Sequence, residues 1–592
     1  MAARAPMLLL TAPEEGARFD AYLDEVLRSE GWCLHEHRRA EAGMTAGELA
    51  QFGLVLVSHG AAQVLAPEAV EQYLEGGGRV IAVKPPREWG PLFGLTARTS
   101  ETYATVRDAY LRIAAEHSWL TGFPALDLQL PGEVHVYEPG SARPLGLIAG
   151  QRGQATEFPA VAVARRGRGL GVLFAFDLGA CIVALHQGRP GNASNGPDPD
   201  ANRDGKFTAD DLFEGMRDFS LRHVPQADVL QDLLTRIILG LTAESLPLPR
   251  LWHFPNAAPA LLLLDGDGDG MSREDLHATL GVCERHGAHF GFFLMQQQID
   301  DFNPVEVNAV RARGHSFGPH PWTSLRPTID QWRAEIEGIC ARFRSRFGFA
   351  AESLRSHSVI FPGWDESPRI FADAGLRLDT SFMQGYRYQS GYLNGSALPA
   401  RFVDREGRVL DCWEQSTILG DDTLVTTKVM LPPKTEQECI DLSREAMEEL
   451  ARRYHGVFHP YFHPINVGGH GRVHTARWLE AVLAEGARLG MPAPSPDQWL
   501  HFTQARRAAR IHGVSWDRGR RELHFGLLAA EGAQSLTILL PPCAGVGPEH
   551  ILLDGEVVDG RSVSHEGLGW TALMLDVAAG QRRVITARYP TA

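Results

Sequence analysis

The stretch from Leu261 to Gly270, which reads LLLLDGDGDG, constrains the fold of this chain more than any other. Four consecutive leucines are typical of a strand that is buried on both faces, as the strands of a parallel sheet are. Asp265, Asp267 and Asp269 follow, alternating with glycines that let the backbone fold closely around a bound group. The stretch therefore predicts a buried strand that ends in an acidic loop, where chemistry is expected.

The chain is too long for a single hydrophobic core. At about 150 residues per domain, its 592 residues predict several domains. The stretch from Pro247 to Pro259 is rich in proline and marks one boundary. We expect three parts, which cover residues 1–247, 248–508 and 509–592.

Each part has its own pattern of secondary structure. In the first, the strands Leu54–Val57 and Arg79–Val83 flank the helix Pro67–Glu75, and this alternation predicts an α/β domain with a doubly wound parallel sheet. The same rhythm over residues 248–508 favours a (β/α) barrel, in which reactive residues collect at the C-terminal ends of the strands. After Arg510, short strands separated by Gly and Pro turns predict a small antiparallel β-sandwich.

Charge and cysteine content exclude several classes of function. The formal net charge of −15 argues against binding to nucleic acid phosphates. The seven cysteines form no CxxC pair, which favours a reducing compartment over a disulfide framework. The apolar run Met7 to Leu10 is too short for a signal peptide or a membrane span. We therefore expect a cytoplasmic protein that binds neither nucleic acid nor membrane, and a homo-oligomer is left open.

Residues 198–211 have the spacing of a calcium-binding loop. Counted from Asp200, the oxygen ligands Asn202 and Asp204 fall at positions 3 and 5, Gly205 at position 6 and Asp211 at position 12. The alternative is a surface turn rich in Asp, Asn and Gly that caps the helix beginning near residue 210. In either case we expect a structural loop rather than the reaction centre.

The first part contains the segments FGLVLVSHG, VEQYLEGGGRVIAV and RGLGVLFAFDLG. This pattern resembles the class I glutamine-amidotransferase-like domain over roughly residues 1–185. The family's nucleophile is a Cys on a sharp turn flanked by Gly, and no such turn is found here. Cys33 and Cys181 lie in apolar surroundings, where a small core residue is expected. The resemblance therefore implies an accessory domain without the catalytic Cys.

Polar motifs recur at the predicted strand ends of residues 248–508. They are Asp265 and Asp267 in LLLDGD, the run GHSFG at 314–318 followed by His320, Arg355 after a leucine, the triplet DCW at 411–413, and the run HPYFH at 459–463. Together these motifs resemble the polysaccharide deacetylase family, also called NodB homology or carbohydrate esterase family 4. The resemblance covers the central part and implies a deacetylase-type (β/α) barrel.

The first two motifs of that family hold the general base and the metal. The resemblance implies that Asp265 is the base, Asp267 a metal ligand and His320 the first metal-binding histidine. The second histidine of the family falls on Ser324, which is a departure. Because a catalytic site of this kind uses three protein ligands and keeps a position for water, the set is one ligand short.

Three alternatives follow from this departure. Asp269, His315 or His357 completes the set of ligands. The register shifts by two, so that Asp267 is the base and Asp269 the ligand. In the third alternative, the domain has lost both its metal and its activity.

The remaining motifs imply further roles. Arg355 corresponds to the arginine that orients the base, and Asp411 to the acid that pairs with this arginine. Trp413 corresponds to the tryptophan that walls the substrate pocket, and Tyr461 lies beside it as a further substrate-binding residue. His463 corresponds to the histidine that protonates the leaving group.

We therefore expect a metal-dependent deacetylase that acts on an N- or O-acetylated carbohydrate. The divalent metal is expected to be zinc, with cobalt or nickel as alternatives, and calcium is the candidate ion at residues 200–211. The competing hypothesis is a carbohydrate-binding or assembly protein whose barrel has degenerated. A less favoured hypothesis is hydrolysis of a small amide that is not a sugar, because a fold does not fix the substrate.

Overall fold

A computed structural model describes residues 5–12, 18–98, 104–243, 246–384, 390–425, 432–543 and 545–590. The N-terminal part is built on a nine-stranded sheet with the order β2-β1-β3-β4-β11-β10-β9-β6-β7. The strands of this part are β1 (Met7–Thr11), β2 (His35–Arg39), β3 (Leu54–Val57), β4 (Arg79–Val83), β5 (Thr96–Ala97), β6 (Thr105–Ile113), β7 (Asp127–His135), β8 (Tyr137–Glu138), β9 (Arg143–Gln151), β10 (Gln154–Arg166) and β11 (Gly169–Phe174).

The nine-stranded sheet is parallel over only five strands. The pairs β2-β1, β1-β3, β3-β4 and β4-β11 are parallel, as the alternating pattern predicts. The strands β10, β9, β6 and β7 extend the sheet in antiparallel pairs, so the predicted parallel sheet accounts for only part of the observed sheet. The physical reason is the short connections, because the two-residue loops at Gly153 and Gly167 form hairpins and both glycines have positive φ.

Helices pack against this sheet and lead into the second part of the chain. The leucines and valines of β1 and β3 are fully buried, which fits strands covered on both faces. The helices of this part are α1 (Tyr22–Ser29), α2 (Ala46–Leu49), α3 (His59–Ala62), α4 (Pro67–Glu75), α5 (Leu178–Gln187), α6 (Ala209–Leu212) and α7 (Gln226–Thr242).

The central part alternates short strands with helices. Its strands pair in the orders β13-β22, β16-β15-β14-β23-β21 and β17-β18-β20-β19. The elements are β12 (Arg250–Leu251), β13 (Leu261–Leu262), β14 (Asp265–Asp267), α8 (Arg273–Arg285), β15 (Gly291–Leu294), α9 (Gln296–Asp301), α10 (Pro304–Ala312), β16 (Ser316–Pro319), α11 (Ile329–Phe347), β17 (Ser353–Leu354), α12 (Glu366–Asp373), β18 (Leu378–Asp379), β19 (Ala400–Val403), β20 (Val409–Glu414), β21 (Leu419–Gly420), α13 (Asp421–Val425), α14 (Glu436–Glu449), β22 (Val457–Phe458), β23 (Pro460–Tyr461), α15 (Pro464–Val467), α16 (Ala476–Leu489) and α17 (Pro496–Ala508).

Parallel pairing brings the polar strand ends of this part to one edge. Strand β14 lies between β15 and β23 and is parallel to both, and β15 is parallel to β16. Strand β17 lies next to β16, because a Cβ on Gly318 would be 2.1 Å from the carbonyl oxygen of Ser353. The C-terminal ends of β14, β16 and β23 therefore point the same way, and the residues that follow them meet.

The C-terminal part consists of two antiparallel sheets with the orders β24-β25-β31-β27-β28 and β12-β26-β30-β29. Strand β12 comes from the linker before the central part and pairs with β26, so the linker is built into this part. The remaining strands are β24 (Arg510–Asp517), β25 (Glu522–Leu528), β26 (Ala533–Leu540), β27 (His550–Leu553), β28 (Glu556–Val558), β29 (Arg561–His565), β30 (Leu568–Val577) and β31 (Arg582–Arg588).

Candidate active site

Glycine lets the acidic strand β14 lie close to its neighbour. A Cβ on Gly266 would be 1.7 Å from the carbonyl oxygen of Phe462, so no other residue fits without moving the backbone. Asp265 and Asp267 flank this glycine, and strand periodicity places both side chains on the same face. The sequence DGD thus directs two carboxylates to one side of the strand end.

Asp265 is a fully buried ion-pair partner. Arg355 donates through Nη2 to Oδ1 of Asp265 at 2.6 Å, and His459 donates through Nε2 to Oδ2 at 2.9 Å. Burial opposes the charge of Asp265, but Arg355 and His459 hold the pKa of this carboxyl below its usual range. Both oxygens of Asp265 are therefore occupied by protein donors.

Asp267 is less enclosed and keeps one oxygen without a hydrogen bond. Arg355 Nε lies 3.2 Å from Oδ1 of Asp267, but Oδ1 has no hydrogen-bond partner among the described residues. The guanidinium of Arg355 also lies over the ring of Tyr461, with Cζ 4.8 Å from the ring centroid. Arg355 is thus held between the two aspartates and orients the second one.

Asp269, His320 and His357 form a cluster whose potential ligand atoms all lie within 4.8 Å of one another. His320 donates through Nδ1 to the carbonyl oxygen of Arg355 at 2.7 Å, and this contact assigns its proton to Nδ1. The other nitrogen, Nε2, lies 3.5 Å from Oδ1 of Asp269 and 3.3 Å from Nδ1 of His357. The lone pair of His320 Nε2 is therefore directed into the cluster.

Electrostatics of this cluster favour a bound cation. Burial opposes charge on His320, yet Asp267 and Asp269 raise its pKa above the usual value. For Asp269, burial is outweighed by hydrogen bonds to His320 and His357, and its pKa is lowered. One carboxylate and two imidazoles are the ligands that zinc and similar divalent metals accept, so the residues fit such an ion.

His463 belongs to a second cluster beside the first. It donates through Nδ1 to Oδ1 of Asp421 at 2.7 Å, and its backbone N–H donates to Oδ2 at 2.9 Å. Burial opposes the charge, but Asp421 is the largest of the effects that raise the pKa of His463 to about 10, and Asp422 and Asp267 add to it. His463 is therefore protonated at neutral pH, with Nδ1 engaged.

Tyr461 and Asp422 complete this second cluster. The hydroxyl of Tyr461 donates to Asp422, which lies at the start of α13 directly after β21. Burial is the main reason why the pKa of Asp422 is raised. The side chain of Asn466 donates to Oδ2 of Asp421 at 2.9 Å and fixes the partner of His463.

Two other candidate ligand positions are Ser324 and His315. Ser324 is exposed in the loop after β16. His315 is buried, accepts from the backbone N–H of Phe290 through Nδ1 and lies 3.2 Å from Glu284. Of the alternatives for the missing ligand, Asp269 and His357 are the ones that lie next to His320.

Two predicted residues on β20 are placed differently from the prediction. The expected pairing of Asp411 with Arg355 is wrong, because the Asp411 side chain is 57% exposed and pairs with Arg377 at 3.0 Å. Trp413 is buried with Leu378, and the guanidinium of Arg401 lies over its ring. The reason is the antiparallel pairing of β19 with β20, which brings Arg401 opposite Trp413.

The loop at 198–211 uses its oxygens to accept hydrogen bonds from its own backbone. Asp211 accepts from the N–H groups of Asn202 and Thr208, at 3.2 and 3.0 Å, and burial raises its pKa to about 7. Asp204 accepts from the backbone N–H of Lys206 at 2.9 Å, and Asp200 pairs with Arg326 at 2.7 Å. These carboxylates form no ligand group among the described residues, and calcium binding stays a prediction.

This loop supports the segment that carries His357. Phe207 donates from its backbone N–H to the carbonyl of Leu325, and its own carbonyl accepts from the N–H of Phe361. Ser358 and Val359, which lie between His357 and Phe361, have positive φ, which is uncommon for residues other than glycine. The backbone around His357 is thus held in an unusual conformation by the neighbouring loop.

The acidic partner of His463 and the pairing of His459 were not identified from the sequence. Asp421 was not predicted, although a pair of acids directly after the short strand Leu419–Gly420 is the same kind of signal as the acids after β13. His459 was assigned no role, and the structure pairs it with Asp265. His357, one of the three residues that the sequence offers for the missing ligand, lies beside His320.

The fold and the site define an α/β protein with a candidate metal centre at parallel strand ends. No family model matches the chain, and no curated protein matches it. Among solved structures, the chain is similar to a protein from Mycobacterium smegmatis provisionally described as a polysaccharide deacetylase, with 15% identity, 44% of this chain and 95% of that chain covered and a TM-score of 0.35.

Two further solved structures are similar to part of the chain. One is a family 4 carbohydrate esterase from Streptomyces lividans, with 14% identity, 40% and 93% coverage and a TM-score of 0.25. The other is the Xyl-CE4 domain of a xylanase from the hindgut metagenome of Trinervitermes trinervoides, with 11% identity, 40% and 89% coverage and a TM-score of 0.26. At such low scores these likenesses carry no conclusion about activity. No described helix is long and apolar enough to cross a membrane.

Proposed function

We propose that this chain is a metal-dependent deacetylase that removes an acetyl group from an N- or O-acetylated carbohydrate. In this proposal, residues 248–508 form a deacetylase-type barrel between an amidotransferase-like domain without the catalytic Cys and a β-sandwich. Burial of Cys33 and Cys181 supports the absence of a nucleophile in the first domain, because burial raises the pKa of both thiols.

One observation carries the proposal. Asp267 lies next to the cluster of Asp269, His320 and His357, with Oδ2 3.6 Å from Nε2 of His320. On its other side, the negative charge of Asp267 contributes to the raised pKa of His463. A carboxylate with a free oxygen, a potential metal site and a protonated histidine are thus neighbours, as hydrolysis of an amide or ester requires.

In this proposal the aspartates take the roles of the shifted register, in which Asp267 is the base and Asp269 is a metal ligand. Asp269, His320 and His357 would hold a divalent ion, with zinc preferred and cobalt or nickel as alternatives. When bound, such an ion polarises a carbonyl and makes water a better nucleophile near neutral pH. Asp267 accepts a proton at Oδ2, the oxygen that faces His320, while Arg355 lies against Oδ1 and holds the carboxylate in place. Asp265, whose oxygens are both occupied, anchors Arg355.

His463 is proposed as the general acid. Because its Nδ1 is bonded to Asp421, its Nε2 is the nitrogen that donates a proton to the leaving nitrogen or oxygen. Tyr461 is proposed to contact the substrate beside His463. The buried position of Trp413 gives no support to a role in the pocket wall.

The test is acetate release from acetylated chito-oligosaccharides and acetylated xylan. Protein stripped with a chelator and reloaded with zinc is expected to be active, and Asp267→Asn and His463→Ala are each expected to lower kcat by about 10²–10⁴-fold. The exposed Asp411→Asn is the matched control and should keep the parent rate. Full activity of Asp267→Asn, or no activity of the zinc-loaded parent on any acetylated sugar, would favour the degenerate carbohydrate-binding protein instead.

A further inference from the structure

A second group of potential metal ligands lies where the three parts of the chain meet. Glu30 follows α1, His253 follows β12 in the linker, and Glu566 follows β29 in the C-terminal part. One ligand atom from each lies within 4.8 Å of the others, and all three residues are buried. The group therefore joins three segments that are distant in sequence.

Arg250 occupies only one side of these carboxylates. It is fully buried, and Nη1 lies 3.2 Å from Oε2 of Glu30 while Nη2 donates to Oε1 of Glu566. The other oxygen of Glu566, Oε2, is buried and has no hydrogen-bond partner among the described residues. An unpaired buried acceptor costs about 1–3 kcal/mol, and more if charged, so a missing partner is indicated.

His253 is buried beside the two carboxylates. Glu30, His253 and Glu566 line a cavity of about 20 Å³, enough for one water-sized particle.

We propose that Glu30, His253 and Glu566 bind one first-row divalent transition-metal ion at the junction of the three parts of the chain. One imidazole nitrogen and two carboxylate oxygens suit zinc or manganese and leave a position for water. The ion supplies the partner that Glu566 Oε2 lacks among the described residues. It is a structural site, separate from Asp269, His320 and His357, and its existence does not depend on the proposed deacetylase activity.

The test uses full-length protein in which the first cluster is removed by His320→Ala and His357→Ala. After loading with zinc and exhaustive dialysis, elemental analysis is expected to find one zinc per chain in this double variant. Adding His253→Ala should reduce this to about zero. The control is His463→Ala, which removes a residue from the third ligand group (Asp421, Asp422 and His463) and should leave one zinc per chain. If the double variant retains no zinc, or retains it after His253→Ala, the proposal is wrong.

A second measurement keeps the test independent of whether His253→Ala folds. In the double variant with an intact junction, a chelator is expected to lower Tm and zinc to restore it. Hydrogen exchange should slow on zinc binding in the segments around Glu30, His253 and Glu566 together. Protection of residues 421–463 instead would place the ion at the third group and overturn the assignment.

Discussion

Asp265 and Asp267 lie on the same short strand, but their chemistry differs because different residues surround them. Asp265 and Asp267 share a face of β14, but both oxygens of Asp265 accept hydrogen bonds, whereas Asp267 faces Arg355 with Oδ1 and turns Oδ2 toward His320. A general base must reach the proton that it removes, so a carboxylate enclosed by Arg355 and His459 is a poor candidate. At the scale of single residues, the surroundings decide which aspartate reacts.

The pair of His463 and Asp421 predicts a pH dependence. Since Asp421 raises the pKa of His463 to about 10, the acid stays protonated until the pH approaches that value. The pair also stabilises the fold, fully below about pH 6.5, where unfolded histidine is charged, and this contribution is lost as the pH rises through about 10.

Asp421→Asn removes the negative charge that keeps His463 protonated. The basic limb of the kcat/KM profile should then fall by several pH units, toward the ordinary histidine pKa of about 6.5 or below it. The profile is measured by acetate release between pH 5 and about 10.5, with Asp411→Asn as the control. An unchanged basic limb in Asp421→Asn would remove His463 from the role of acid.

The buried ion pair of Arg355 predicts a large effect on stability. Arg355→Met leaves Asp265 charged in a dry interior with His459 alone, which should lower the free energy of unfolding by about 3–5 kcal/mol. Arg285 is the control, because it is exposed and pairs with Glu480, so Arg285→Met should cost about 0–1 kcal/mol. Urea unfolding of both variants measures the difference, and equal midpoints would contradict the prediction.

At the scale of elements, the glycine of β14 sets the distance between two strands. Gly266→Ala puts a Cβ against the carbonyl of Phe462, so β14 must move and carry its aspartates with it. We expect a loss of about 1–3 kcal/mol in stability and weaker zinc binding at His320. Gly281→Ala, inside α8 with space around it, should instead stabilise by about 0.5–1 kcal/mol. Calorimetry and zinc titration of both variants provide the measurement.

Elements with strong local signals were predictable from the sequence. The helix Pro67–Glu75 has the predicted bounds, and Ser272 caps α8 by exchanging hydrogen bonds with Asp275, a spacing that is visible in the sequence. Hydrophobic periodicity and capping depend on residues within a few positions of each other, so a single sequence contains them. The strand at 456–462 is divided into β22 and β23, which periodicity alone does not indicate.

The candidate site was predictable only in part, because its contacts join residues that are far apart in sequence. The pairing of Arg355 with Asp265 agrees with the family resemblance. The neighbours of His320, however, depend on how the loop after β17 turns, and positive φ at Ser358 and Val359 is not visible in the residue types. The prediction at Ser324 rests on spacing alone, and spacing gives no information about the fold of a loop.

At the scale of the whole molecule, buried arginines join the three parts of the chain. Arg506 on α17 donates to the backbone carbonyls of Ser29 and Trp252, and Arg250 contacts Glu30 and Glu566. Trp252 in turn stacks on His565, with ring centroids 4.0 Å apart. Polar contacts of this kind are strong only if every partner is in place, so the parts should unfold together.

The last prediction tests this coupling through Arg250. Arg250→Met leaves Glu30 and Glu566 without their shared cation, and should cost about 3–5 kcal/mol. It should also divide a single calorimetric transition into two or more, because the C-terminal sheets lose their anchor on the linker strand β12. Arg477→Met is the matched control, since Arg477 is 65% exposed and its pair with Glu436 should contribute about 0–1 kcal/mol. If Arg250→Met unfolds in one transition at the parent temperature, the junction does not couple the three parts, and their cohesion must come from apolar packing alone.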